Sequence, residues 1–179
     1  MLRCLIPVLF AVGCIGAAPA LADTQRFVVI ASGETVGHLV VDRTGETVDI
    51  DYRVDNNGRG PKHKEHLVLG ADGLPRLWTI EGVSLFGARV DERFEQADGR
   101  LSWRSQADSG ARAAPSPSLY VANDDSPWSL ALYANVLKAA PGFSREVAPG
   151  GRLTLTEVRR QAFGPQALPV VVYRLTGLE

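Results

Sequence analysis

Cysteine is nearly absent from the sequence, and the positions of the two that occur exclude most roles for it. Cys4 and Cys14 both lie within the first 22 residues, which we expect to be removed during export. A mature chain that begins at residue 23 then has no disulfide, no thiol nucleophile and no thiolate metal ligand. We therefore expect a domain that is stabilised by its hydrophobic core alone.

The chain also lacks an excess of charge of one sign and, beyond its first 22 residues, any long hydrophobic run. Its 19 basic and 20 acidic residues give a formal net charge of −1 at pH 7. Because binding to a phosphate backbone needs a clearly basic surface, we expect no nucleic-acid partner. A transmembrane helix needs about 20 apolar residues, so we expect no transmembrane segment after the leader is removed.

The first 22 residues have the three parts of a secretory signal peptide. Arg3 supplies the positive start, residues 4–16 form an uncharged apolar stretch, and Ala20 and Ala22 are the small residues of a cleavage site. The apolar stretch is short for a membrane anchor. A lipoprotein signal at Cys14 is an alternative, although it lacks the usual leucine three residues earlier. We predict a signal peptide at 1–22, a single β-rich domain at 23–179 and a periplasmic or secreted protein.

Alternation of apolar and polar residues predicts an antiparallel sheet. In segment 47–54 Val48, Ile50, Tyr52 and Val54 share one face, while charged residues occupy the other. Turn dipeptides that contain glycine recur between such segments, as in an all-β fold. The predicted strands are 27–30, 36–41, 47–54, 65–69, 77–83, 90–95, 100–106, 152–158 and 170–175. Residues 107–117 are predicted to be a loop or a weak edge strand.

One segment follows a helical period instead. Ser126 is placed as an N-cap, Pro127 as the first helical residue, and Pro141–Gly142 as the stop, which predicts a largely buried helix at 127–139. The predicted fold class is mainly β (α+β). We expect a curved antiparallel sheet of about eight to ten strands with this helix packed on its concave face.

Two histidines are the first candidates for chemistry. His63 and His66 lie three residues apart on a predicted strand. Successive side chains of a strand alternate between faces, so these two point in opposite directions and do not chelate one metal ion. We expect both histidines to be solvated.

Pairs of carboxylates are the second candidates. Asp49 with Asp51, Asp91–Glu92 and Asp124–Asp125 could act as general acid and base if their environments separated their pKa values. We expect instead that they are solvated, or cap the helix at its start. No Gly-x-Ser-x-Gly motif occurs, and Gly58–Pro61 does not continue as a phosphate-binding loop. We predict no catalytic residue, no metal site and no cofactor.

The aromatic side chains offer a further possibility. If the helix sits off the sheet, Trp78, Phe86, Trp103 and Trp128 are predicted to line an apolar ligand pocket. If the helix packs closely, the same side chains belong to a filled core. The first arrangement predicts a free-standing periplasmic carrier that binds a small hydrophobic ligand between sheet and helix.

Seven short segments, taken in order, are similar to one known domain. They are Val36–Leu39, Tyr52–Pro61, Gly73–Pro75, Gly87–Phe94, Ser126–Trp128, Pro149–Gly151 and Leu175–Leu178. In this order they resemble the N-terminal domain that precedes the metal-dependent barrel of some exported bacterial amidohydrolases. The resemblance extends from Phe27 to Leu178 and consists of turn and packing motifs.

The resemblance implies a non-catalytic accessory domain that serves folding, docking or substrate access for a hydrolase barrel. In that family the barrel binds divalent metal and opens with a His-x-His pair, which this sequence does not contain. No catalytic residue is carried over, so whether the chain belongs to an enzyme stays open. If it does, the resemblance implies a metal-dependent amidohydrolase whose catalytic domain is the partner.

Overall fold

The alternating segments form strands of two sheets in a computed structural model of the protein, which describes residues 22–177. The larger sheet has eight strands, arranged in chain order and each antiparallel to its neighbours. These strands are β1 (Ala22–Ala31), β2 (Glu34–Thr44), β3 (Thr47–Val54), β4 (Lys62–Leu69), β5 (Pro75–Val83), β6 (Arg89–Ala97), β7 (Arg100–Arg104) and β8 (Ser109–Ala113).

A second sheet has four strands in the order β12-β11-β10-β9. Its strands are β9 (Leu119–Tyr120), β10 (Ser144–Ala148), β11 (Arg152–Phe163) and β12 (Leu168–Thr176). The two-residue β9 pairs with β10 in parallel, whereas the other pairs are antiparallel. Between β9 and β10 lie the helix α1 (Trp128–Ala139) and a 3-10 turn at Pro141–Phe143.

The predicted fold class is confirmed: the described residues form a mainly β structure with a large antiparallel sheet and one α-helix. The helix lies within one residue of its predicted bounds. The predicted side-chain cap is wrong, because Pro127 occupies the N-cap position and no side chain caps the helix. Ser126 contributes its backbone oxygen instead, which accepts the Ser129 N–H at 3.1 Å.

The core forms where one face of the eight-stranded sheet meets the helix and the second sheet. Trp78 of β5 contacts Tyr133 of α1, with ring centroids 6.5 Å apart. Phe94 of β6 stacks on Tyr120 of β9 at 4.5 Å. Leu153 of β11 is fully buried in the same apolar cluster. Because strands of both sheets and the helix share this cluster, each depends on the others for the burial of its apolar face.

The predicted signal peptide lies outside the described residues, except that Ala22 opens β1. Among residues 22–177 there is no helix with the length and apolar character needed to cross a membrane.

Candidate functional site

Two glutamates face the core of the eight-stranded sheet. Glu65 on β4 and Glu92 on β6 are each only 2 % exposed. Strand register places them in one inward-facing row, with Ile80 of β5 paired to both. The expectation that Glu92 is solvated is therefore wrong. It shares the apolar face of β6 with Val90 and Phe94 because side chains two apart on a strand point the same way.

Glu92 holds the chain segment that crosses the sheet before the helix. Its carboxylate accepts the Tyr120 hydroxyl at 2.6 Å, the Asn123 N–H at 3.0 Å and the Asp124 N–H at 3.2 Å. Burial raises the pKa of Glu92 in spite of these hydrogen bonds. A buried carboxylate thus supplies the acceptors that a neighbouring strand would otherwise offer to this segment.

Glu65 holds the same segment nearer to the helix. One of its oxygens accepts the Ser126 N–H at 2.7 Å, and the other accepts the Trp78 indole N–H at 3.0 Å. The two glutamates together bind the backbone on either side of Asp125. They determine where that aspartate lies.

Asp125 combines partial burial with the nearby charge of both glutamates. Its Oδ2 accepts the Tyr133 hydroxyl at 2.6 Å, and the Tyr133 oxygen accepts the Ala122 N–H at 3.2 Å. Burial, together with repulsion from Glu65 and Glu92, raises the pKa of Asp125 to about 6. Burial and the adjacent carboxylate also raise the pKa of the Tyr133 hydroxyl.

His63 lies on the same inward face of β4, two residues before Glu65. The prediction that His63 and His66 point to opposite faces is confirmed, but His63 is only 5 % exposed and therefore not solvated. Its Nε2 is 3.4 Å from Glu65 Oε1 without the geometry of a hydrogen bond, and its ring lies 5.3 Å from that of Tyr52. Neither ring nitrogen of His63 has a hydrogen-bond partner among residues 22–177.

A cavity of about 370 Å³ opens beside these groups, and we refer to it as the His63 cavity. It is lined by Tyr52, Pro61, His63, Ser84, Leu85, Asn123, Asp124, Asp125, Ser126, Pro127, Ser129 and Leu130. The buried hydroxyl of Ser126, like the His63 ring, lacks a hydrogen-bond partner in the described chain. Across residues 22–177, no three histidine, cysteine, aspartate or glutamate side chains are grouped so that they could hold a metal ion.

The four aromatic residues predicted to form a ligand pocket do not meet in one cavity. Trp78 is buried in the core, and Phe86 is 86 % exposed in the turn after β5. Trp103 borders a groove of about 460 Å³, whereas Trp128 borders a separate cavity of about 330 Å³ between α1 and the first strands. The binding of a hydrophobic ligand by this protein stays a prediction.

Sequence reasoning missed His63, Glu65 and Glu92 as buried groups, although the alternation contained their signature. His63 and Glu65 stand in register with Leu67 and Leu69, on the apolar face of β4. A charged side chain on the apolar face of an alternating strand is either buried with partners or located at the sheet margin.

The resulting site has two parts with different chemistry. The carboxylate oxygens of Glu65 and Glu92 accept hydrogen bonds from the chain's own N–H and O–H groups. His63 and Asp125 instead border a cavity, so they are the titratable groups of this cluster that a ligand would meet. No protein-family model, curated protein or solved structure matches the chain.

Proposed function

We propose that the chain is a non-catalytic accessory domain of an exported amidohydrolase-like protein, which docks against a metal-dependent hydrolase barrel. The sequence motifs that resemble such a domain support the proposal. The observation that carries it in the structure is the placement of apolar side chains on the edge strands of both sheets.

Strand β1 is one edge of the eight-stranded sheet, and β12 is one edge of the four-stranded sheet. On β1, Phe27, Val28 and Ile30 are exposed, with Val28 at 65 %. On β12, Leu168 and Val171 are exposed as well. Proteins commonly protect sheet edges with charge, proline or a covering element, so apolar edges of this kind favour a partner that covers them.

The buried carboxylates support a structural role over a catalytic one. Glu65 and Glu92 each accept backbone N–H groups of residues 123–126, so their oxygens hold the chain in place. In the proposed assembly a barrel covers β1 and β12, and the barrel carries out the catalytic chemistry.

The test begins with the DNA that follows this coding region in its genome. A downstream segment that encodes a barrel with a His-x-His pair is expected. The protein that contains both this domain and the barrel is then tested. Its hydrolase activity and thermal stability should fall when Val28→Lys and Val171→Lys place charges on the two edge strands of this domain. Gln25→Lys is the matched control, since it adds the same charge at an exposed polar position of β1.

A downstream gene for lipid transport or envelope assembly would contradict the accessory role and favour the hydrophobic carrier. A barrel whose activity and stability are the same with and without the two lysines would contradict docking through these edges. Native mass spectrometry of the exported chain distinguishes the carrier function from the accessory function. A carrier is expected to retain an apolar ligand at a ratio near one ligand per chain.

A further inference from the structure

Two of the polar side chains that line the His63 cavity have no hydrogen-bond partner within residues 22–177. The His63 ring is almost wholly enclosed, yet neither of its nitrogens is hydrogen-bonded within residues 22–177. The Ser126 hydroxyl belongs to another residue that lines this cavity, and it also has no hydrogen-bond partner within residues 22–177. Because burial of an unpaired polar atom is costly, such atoms in a folded protein point to a bound molecule that completes their hydrogen bonds.

The charge of the cavity selects among such molecules. Asp124 and Asp125 line it, and none of its lining residues within the described range 22–177 is a lysine or an arginine. Glu65 adds a further negative charge directly behind His63. Burial and repulsion from the glutamates together raise the pKa of Asp125; a cation placed here would relieve the repulsion, whereas an anion would add to it.

The rest of the lining combines apolar side chains with the polar residues Ser84, Asn123 and Ser129. Leu85, Leu130 and Pro61 border the cavity, and the Tyr52 ring lies 5.3 Å from the His63 ring at an interplanar angle of 56°. A volume of about 370 Å³ is in the range of pockets for small molecules. An aromatic ring and apolar side chains next to carboxylates suit a ligand with a cationic head and a short hydrocarbon stem.

We propose that the His63 cavity binds a small primary amine in its ammonium form. An ammonium group has three N–H donors, and the residues that line the cavity include three that carry acceptor groups: the Asp125 carboxylate, the His63 ring and the Ser126 hydroxyl. The hydrocarbon stem lies against Leu85, Leu130 and Tyr52. This site stands independently of any partner that covers the edge strands.

Amine binding at this site depends on pH through Asp125. The groups that face this carboxyl are the hydroxyls of Tyr133 and Ser129 from α1 and the carboxylates of Glu65 and Glu92 from the sheet. His63 and Asp124 border the same cavity. Since the pKa of Asp125 is about 6, its negative charge is present at neutral pH, and amine affinity decreases as the pH falls below about 6.

The experiment is an NMR titration of the exported chain at about pH 7.5 with butylammonium, butyrate and 1-butanol, which share a stem and differ in head group. The imidazole signals of His63 and His66 are the readout. Butylammonium is expected to shift the His63 signals saturably, at least tenfold more tightly than the other two probes, and to leave His66 unmoved. Equal affinity for all three probes, or no saturable shift of His63, would overturn the proposal.

Three variants locate the site. Asp125→Asn keeps an oxygen that accepts from Tyr133 but removes the charge, and it is expected to weaken butylammonium binding at least tenfold. Leu130 is 52 % exposed, so Leu130→Arg adds a repelling charge at the cavity without disturbing the core and should also weaken binding at least tenfold. His66→Asn on the outer face of β4 is the control and should change the affinity less than twofold. Binding that survives both Asp125→Asn and Leu130→Arg would place the amine elsewhere.

Discussion

At the scale of single residues, Glu92 shows how a buried charge is stabilised in this fold. Three donors converge on its carboxylate: one hydroxyl and two backbone N–H groups. An alanine at this position leaves one buried and two partly buried donors without this acceptor, and the loss of a partner by a buried donor costs about 1–3 kcal/mol. We therefore expect Glu92→Ala to lower the free energy of unfolding by about 3 kcal/mol or more, measured by urea denaturation.

Two comparisons make this prediction specific. Glu92→Gln keeps the shape and one acceptor oxygen, so it should cost less than Glu92→Ala. Glu95 lies on the exposed face of the same strand and pairs with Arg93, and Glu95→Ala should change stability by less than about 0.5 kcal/mol. A Glu92→Ala protein as stable as Glu95→Ala would mean that the crossing segment is held by packing alone.

Asp125 is expected to oppose folding at neutral pH. Its pKa is about 6 in the folded chain and about 3.9 in an unfolded one, so the folded state binds the extra proton between these values. The contribution of this carboxyl to stability therefore falls as the pH rises from about 4 to about 6. We expect Asp125→Asn to be more stable than the natural chain by about 1–2 kcal/mol at pH 7, and equally stable near pH 4.

Urea unfolding at several pH values checks this difference. A variant that is less stable at pH 7 would show that the charge of Asp125 is compensated by its hydrogen bonds. Together with a loss of amine binding, the stabilisation would mark Asp125 as a residue retained for binding rather than for folding.

At the scale of elements, the helix α1 has a sharply defined buried side. Leu137 is fully buried, whereas Leu130 on the same helix is half exposed. Deletion of a buried leucine side chain removes its contacts and leaves a cavity, so Leu137→Ala should cost about 2–4 kcal/mol. Leu130→Ala is the matched control and should change stability by less than about 0.5 kcal/mol in urea unfolding. Equal effects of the two substitutions would contradict the orientation of the helix.

Elements with a strong local period could be predicted from the sequence, while those defined by distant partners could not. The helix and the strands of the large meander follow their own periods of hydrophobicity and are flanked by local turns. Strand β9 has only two residues and exists through its pairing with β10, from which it is separated by the whole helix. No local pattern encodes such a pairing.

The same contrast separates the parts of the candidate site. The inward direction of His63, Glu65 and Glu92 was encoded in the alternation of β4 and β6. Their partners were not, because the Ser126 and Asn123 N–H groups come from a segment that reaches the sheet only in the folded chain. The His63 cavity lies between these distant segments, so its lining could not be deduced from spacing along the sequence.

At the scale of the whole molecule, the two sheets share a core but leave apolar edges. An isolated edge strand carries unpaired N–H and C=O groups that another chain can pair with, and exposed apolar side chains strengthen that contact. Val28 on β1 and Val171 on β12 are exposed members of these edges. The isolated chain should therefore self-associate as its concentration rises.

Lysine on an edge strand disfavours such pairing, because a second strand would bury or oppose the charge. We expect the Val28→Lys/Val171→Lys double variant to sediment as a monomer at concentrations where the natural chain forms larger species. Gln25→Lys adds one lysine to β1 without removing an apolar side chain, so it should reduce association less than the double variant does. Sedimentation velocity over a range of concentrations measures all three proteins. A natural chain that stays monomeric throughout would mean that the twist of the edges already prevents pairing, and the argument that a partner must cover them would lose its main support.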